Sequence, residues 1–294
     1  MRLLAIALLF LLFSCQNEPE TNAPETATET NLARVPDAWI GERVAAVKKD
    51  FHESGDEAKQ LVWRAMEAHG GLERFYQNGP LEFEFNYAPL DGGTGRHTTQ
   101  QVDTWRNRAR HQDAANPTQE YGWTGETAWT TDTAAFAYNL RFWALTPYYF
   151  LGQPFVFAGE GVQLEHLGTK PYDEIDYDAV KVSFAEGTGD APDDYYIAYF
   201  HPETGRQEVI RYIVSYPGYF AKGKHLPEKF MSLHDFTTVN GITFPTRYRT
   251  HWLGEDEQPG EHITDITVSD IRFAPELEQM HFEQPAGTMV LEGL

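Results

Sequence analysis

The side chains able to do chemistry in this sequence are carboxylates and histidines, and their spacing commits them to little. Asp190-Ala-Pro-Asp193-Asp194, with Asp178 and Glu186 upstream, gathers oxygen ligands of the kind Ca²⁺ takes. Asp190, Asp193 and Asp194 are therefore weak calcium candidates. The regular ligand spacing and turn glycine of an EF-hand are missing, and a solvated loop shaped by Pro192 accounts for the same residues. The 11 histidines include no H-x-x-x-H pair, and the lone cysteine cannot complete a zinc set. His234 and Asp235 are neighbours on an expected strand, so they point to opposite faces. No G-x-S-x-G occurs. Asp91 to Gly95 is a hairpin turn rather than a phosphate loop, because no helix follows at the right spacing. Paired carboxylates of a glycosidase meet only in three dimensions, which keeps a hydrolase with a carboxylate or histidine site as an alternative. The expectation is no catalytic residue, no metal and no cofactor.

Aromatic residues are the more informative feature. Phe136 to Phe157 reads FAYNLRFWALTPYYFLGQPFVF, and Phe, Tyr or Trp fill nine of its 22 positions. Pro147, Gly152, Gln153 and Pro154 interrupt it well short of the roughly 20 apolar residues of a membrane span. Asn139 to Leu145 suits one short helix. Thr146 can cap a second, Pro147 fits its first turn and Gly152 can end it. Two short aromatic helices cannot stand alone in water, so they must dock on a larger element. Two arrangements suit Phe142, Trp143, Tyr148, Tyr149, Phe150 and Phe155: a solid core, or the wall of a ligand cavity. Exposed Trp and Tyr could also stack on sugars, so a glycan-binding surface protein, or a purely structural envelope protein, is the other alternative.

The larger element is antiparallel β-structure. Leu81, Phe83, Phe85 and Tyr87 alternate with polar residues, the pattern of a half-buried strand. Further strands are expected at Thr98–Arg110, around Tyr121–Trp129, and at Val162–Leu167, Val180–Phe184, Tyr195–Phe200, Gln207–Tyr216, Phe230–Val239, Ile242–Trp252 and Ile263–Phe273. His201 to Gly205 and Asn240-Gly241 read as hairpin connections. The apolar phase of the last strand slips between Val268 and Ile271, which predicts a bulge at Ser269-Asp270. Ahead of the strands, Ile40, Val44, Val47 and Phe51 recur at helical spacing. Ser54 with Glu57 forms a capping-box pattern for a second helix that ends at Gly70-Gly71. His69 lies in its last turn, where a cation complements the helix dipole. The fold expected is α+β and mostly antiparallel: one large curved sheet, an open half-barrel, with helices over its concave face.

The N-terminus carries an address. Met1-Arg2 precedes an apolar run from Leu3 to Phe13, a signal h-region. Leu12-Phe13-Ser14-Cys15 resembles the lipobox of bacterial lipoproteins, in which the cysteine is acylated and becomes the first mature residue. The resemblance implies a signal peptide at 1–14, lipid attachment at Cys15 and anchorage in a membrane. Residues 15–35 are rich in Glu, Thr, Asn and Pro, a composition that cannot offset its ordering entropy, and form an expected disordered tether. By resemblance to Gram-negative sorting rules, Gln16 after the cysteine favours the outer membrane, on either its periplasmic face or the cell surface. The net charge of −21 argues against nucleic acid as a partner.

The order of motifs in the remaining chain, 36–294, is similar to that of the LolA/LolB-type periplasmic lipoprotein carriers. Ala68-His-Gly-Gly71, Pro147 to Phe155, the Gly189 to Asp194 loop, the His201 to Arg206 turn and the Phe282-x-x-Pro-x-Gly287 ending carry that resemblance. It extends to a family of uncharacterised lipoproteins in the same superfamily. It implies a half-barrel over an apolar cavity, a hydrophobic ligand such as an acyl chain or a part in envelope lipid handling, and no catalysis. Two departures stand out. Soluble carriers have no lipid anchor, and the aromatic insert 136–158 falls where a carrier keeps its cavity open.

Overall fold

The computed structural model describes residues 31–191 and 193–291. Cys15, the signal segment and residues 16–30 of the expected tether lie outside them, as does Pro192. From Leu32 onward the chain forms one compact unit that holds every strand and helix found among the described residues. The sequence carries the tether to residue 35, yet the chain is tied down from Leu32. Ala33 is fully buried, its N–H donates to the Leu277 carbonyl at 2.8 Å, and its carbonyl accepts from Arg106 at 2.7 Å.

Three helices come first: α1 (Asp37–Phe51), α2 (Glu57–Ala68) and α3 (Leu72–Asn78). Ser54 does not cap α2. Gly55 adopts a positive φ, the N-cap falls two residues later than the capping box would place it, and the Asp56 carboxylate accepts from the Lys59 N–H at 3.1 Å. The apolar stripe of α2 buries Ala58, Val62, Ala65 and Met66 against the sheet.

All thirteen strands belong to one open antiparallel sheet. Its first half is β1 (Leu81–Pro89), β2 (Arg96–Asp103), β3 (Arg108–Asp113), β4 (Glu120–Trp123) and β5 (Ala128–Thr130). The second half is β6 (Val162–Tyr172), β7 (Ile175–Phe184), β8 (Tyr196–Phe200), β9 (Gln207–Tyr212), β10 (Lys229–Val239), β11 (Ile242–Leu253) and β12 (Pro259–Phe273). Each half is a meander, and β1 pairs with β12 to join them. The order across the sheet is therefore β5-β4-β3-β2-β1-β12-β11-β10-β9-β8-β7-β6, with β13 (Met289–Val290) added outside β5. The predicted bulge is present: Glu82 and Glu84 on β1 face Arg272 and Ser269, and Asp270 has φ 51°. Strands β6 and β7 run longer than their alternation suggests, because a register shift between His166 and Thr169 changes the phase of β6.

The topology leaves β5 and β6 near opposite ends of the sheet, so the segment between them has to cross it. That segment contains the aromatic insert, as α4 (Leu140–Trp143), α5 (Thr146–Leu151) and a 3₁₀ turn at Phe155–Ala158. Asn139 caps α4 by accepting from the Phe142 N–H at 2.9 Å. Thr146 lies inside α5 and not at its cap, and its hydroxyl donates back to the Phe142 carbonyl at 2.6 Å. Insert, helices and the concave face of the sheet share one apolar core that includes Phe75, Phe83, Phe85, Phe155, Phe200 and Phe244.

Helix α2 meets the sheet through His69-Gly70-Gly71. The His69 ring is wholly buried. One nitrogen lies 2.8 Å from the Thr243 carbonyl, and the other accepts from the Gln207 N–H at 3.1 Å. Burial lowers its pKa to about 4, so the ring is neutral and is not the dipole-favoured cation the sequence suggests. Gly70 has φ 115°, and a Cβ there would lie 2.1 Å from the Gly241 carbonyl oxygen in the β10–β11 turn. Gly70→Ala is expected to cost at least ~3 kcal/mol in urea unfolding, since strain and overlap act together. Gly71→Ala, whose Cβ would meet only the Glu67 carboxylate at 3.6 Å, should cost distinctly less.

Candidate ligand cavity

Beneath the insert lies a cavity of about 870 Å³. The insert contributes Phe142, Trp143, Tyr148, Tyr149, Phe150 and Phe155, all six of the rings singled out in the sequence. The opposite wall comes from Phe75 and Tyr76 on α3 and from concave-face side chains such as Tyr87, Tyr196 and Tyr212. Trp39 on α1 and Tyr219, which follows β9, are exposed and line its edge.

Rings from the two sides meet in pairs. Phe155 stacks on Phe75 with centroids 4.3 Å apart, Phe150 lies 5.3 Å from Tyr212, and Tyr149 lies 5.0 Å from Tyr196. Trp143 meets Tyr87 edge to face at 5.1 Å. Such contacts bury large apolar area. Burial raises the pKa of the phenols of Tyr148, Tyr149, Tyr196 and Tyr212, so these stay neutral hydroxyls.

Three of the polar contacts that tie the insert to the rest of the fold are made by a histidine or an arginine. His111 on β3 is fully buried, and its Nε2 lies 2.8 Å from the Ala144 carbonyl. Arg43 on α1 donates to the Ala158 carbonyl at 2.6 Å. Arg141 lies over the Trp123 ring of β4, 3.4 Å from its centroid, and pairs with Asp190 of the β7–β8 connection at 2.5 Å. Arg141 thereby links the two halves of the sheet across the insert.

That pairing accounts for part of the acidic loop. Asp190 faces Arg141, whereas Asp194 is buried and accepts from the Ser215 N–H at 2.6 Å. Burial raises the Asp194 pKa against the pull of that bond. Asp193 is exposed. Among the described residues no three carboxylate, histidine or cysteine side chains gather as a metal set, so the three aspartates are not brought together. The other motifs also have structural uses. The His201–Arg206 turn receives Arg64 of α2 on the Pro202 carbonyl, and Gln153 of the insert accepts from Gln207 at 2.6 Å.

No model of a known family matches the chain, and no curated protein does. Solved structures do. A LolA superfamily protein from Nitrosomonas europaea is 14% identical, with a TM-score of 0.50 over 77% of this chain and 97% of that one. A DUF1329 family protein from Desulfovibrio piger is 14% identical, with a TM-score of 0.51 over 78% of this chain and 98% of that one. The fold is that of the LolA superfamily. On this LolA-type frame the sequence pointed to the insert rings. It missed Arg96 on β2 and Lys229 on β10, two cations that line the same cavity. Their strand phase could have found them. Arg96 is in step with Thr98, Gln100 and Val102, and Lys229 with Met231 and Leu233, all buried.

His69 and His111 make stability depend on pH. Burial lowers both pKa values to about 4, against about 6.5 in an unfolded chain. Between those values the unfolded chain binds protons that the folded chain does not. Stability is thus full above pH 6.5 and falls as pH drops toward 4, by at most about 1.4 kcal/mol per pH unit for each ring. Urea midpoints measured from pH 7.5 to 5 should fall steadily, and His111→Gln should flatten the slope. An unchanged midpoint over that range would contradict the assignment.

Proposed function

We propose that this chain is a lipid-anchored envelope protein of a Gram-negative bacterium whose half-barrel holds a hydrophobic ligand, such as an acyl chain, without catalysis. The observation that carries this reading is the cavity of about 870 Å³ walled by aromatic rings. Its size falls within the few hundred to about a thousand Å³ usual for ligand sites. The aromatic insert narrows the concave side without filling it. Carriage between membranes suits a tethered protein less well than holding or presenting a ligand close to one membrane.

Two of the three acidic groups that line the cavity, Asp190 and Asp194 but not the exposed Glu160, support a non-catalytic role. Asp190 is engaged by Arg141 and Asp194 by a backbone N–H, and these partners hold the two carboxylates to separate structural tasks. The sugar-binding alternative needs a platform of exposed rings. Among the described residues, Trp39 and Tyr219 are the exposed large aromatics, and both line the cavity. That placement favours an apolar ligand.

Anchorage rests on the Cys15 lipobox and outer-membrane placement on Gln16. Acylated Cys15 would hold the protein to the membrane, with the segment after it as the tether. Cys15→Ser should move the protein from the membrane fraction to the soluble fraction and abolish labelling by a fatty-acid analogue. A variant still labelled or still membrane-bound would remove the anchor from this account.

Ligand holding is tested on the unit from Leu32 onward. Native mass spectrometry of the purified protein should show an added mass in the lipid range, or a fluorescent fatty acid should bind at micromolar concentration. Val162 lines the cavity at the start of β6 and is only half-buried. Val162→Trp should weaken binding about tenfold while the protein stays folded. A protein that carries no added mass and binds no fatty acid would sink the proposal.

A further inference from the structure

Five cationic side chains line the cavity: Arg43, Arg96, Arg106, Arg141 and Lys229. The protein answers three of them. Arg43 bonds the Ala158 carbonyl, Arg106 bonds Asp103 and the Ala33 carbonyl, and Arg141 pairs with Asp190. Among the described residues, Arg96 and Lys229 have no carboxylate within the 4.0 Å of an ion pair. The chain has 44 Asp and Glu against 23 Lys and Arg, so carboxylate partners are abundant. Two cations left without one, both facing the same cavity, stand out against that excess.

The surroundings of Arg96 define what could bind there. Its guanidinium lies 3.9 Å from the Trp143 ring centroid, 4.7 Å from Tyr87 and 4.8 Å from Tyr138. Rings stacked on a guanidinium cover its faces and leave its N–H edge unused. Nε and Nη1 of Arg96 are buried, and among the described residues they have no hydrogen-bond partner. A buried donor without an acceptor is costly. Carboxylate and phosphate oxygens match such an edge in both geometry and charge.

Lys229 supplies a second positive group. It is half-buried, with Nζ 5.6 Å from the Tyr212 ring centroid and 5.5 Å from Trp252. Burial and, after it, the nearby charge of Arg96 lower its pKa to about 8, against a smaller opposing pull from Asp91, which lies beyond ion-pair distance. Two cations that repel one another in a half-buried space would both be stabilised by an anion between them.

We propose that Arg96 and Lys229 form the head-group end of the cavity and bind the carboxylate or phosphate of an anionic amphiphile. The chain of that ligand runs along Phe142, Trp143 and Phe150. This assignment rests on the reading that the cavity holds an apolar ligand, and it adds the charge of the head. The rings packed on the faces of Arg96 lower the local dielectric, which strengthens an ionic contact made at its edge.

Calorimetry with four twelve-carbon amphiphiles tests it: dodecanoate, dodecyl phosphate, dodecanol and dodecyltrimethylammonium. At least one of the two anions should bind about tenfold or more tighter than dodecanol, the gain expected of a charge-assisted contact. The cationic amphiphile should bind more weakly than dodecanol. Comparing the two anions separates a fatty-acid head from a phospholipid-type head. Arg96→Gln and Lys229→Gln should each reduce the anion's advantage and leave dodecanol binding intact, which also reports that the cavity is still formed. Dodecanol binding as tightly as both anions, or both variants retaining the full advantage, would overturn the head-group assignment and leave the apolar cavity standing. Failure of all four to bind would overturn the cavity reading itself.

Discussion

A single topological constraint organises this protein. Two meanders grow outward from the β1–β12 pair, so β5 and β6 finish near opposite ends of the sheet. One connection must join them, and it crosses the concave face. Whatever that connection contains becomes the lid of the half-barrel. Here it contains nine aromatic rings among 22 residues, so the lid is bulky, rigid and apolar beneath. The cavity follows from this arrangement. The sheet supplies curvature, and the lid spans it and touches it through a few ring pairs rather than along its whole length.

Neutral buried histidines hold the layers in register. His69 links the end of α2 to Thr243 and Gln207, and His111 links the lid to β3. His69 uses both ring nitrogens and so satisfies groups on two strands at once, which an apolar residue of the same size cannot, whereas among the described residues His111 uses Nε2 alone. Burial keeps both rings uncharged, so they add direction without the desolvation penalty of a charge. The glycines beside His69 serve the same joint by letting the helix end approach the β10–β11 turn. The motifs that make the sequence resemble LolA-type proteins are largely such joints, which explains how they can mark a fold without marking a reaction.

Local pattern made much of the sheet readable before the structure. Period-two alternation revealed β1, β10, β11 and β12, Asn240-Gly241 revealed a hairpin, and the slipped phase at Ser269-Asp270 revealed the bulge. What escaped depends on partners distant in sequence. His69 looks like a helix-terminal cation until Thr243, 174 residues away, is brought against it. Leu32 and Ala33 look like tether until Leu277 and Arg106 pair with Ala33. The insert rings were legible as a group because nine aromatics in one stretch must be covered. Arg96 and Lys229 were not, because a cation at a strand start ordinarily reads as a solvent-facing end. Their phase puts them on the inward face, in step with buried Thr98 and Met231, but a lone charge at a strand start outweighs that signal when the sequence is read by itself.

The way the lid is fastened bears on whether a hollow beneath it can persist. A lid that adhered by continuous apolar packing would gain free energy from every void it closed and would settle onto the sheet. This one is also held by directional contacts, from His111 to Ala144, from Arg43 to Ala158 and from Arg141 to Asp190. Hydrogen bonds and ion pairs fix distance as well as attraction, so they resist collapse as much as they resist opening. The Arg141 contact is the most informative of the three. It joins Trp123 from one half of the sheet to Asp190 from the other, so closing the lid further would require the two halves to move together. A lid braced in this way keeps the space beneath it from closing.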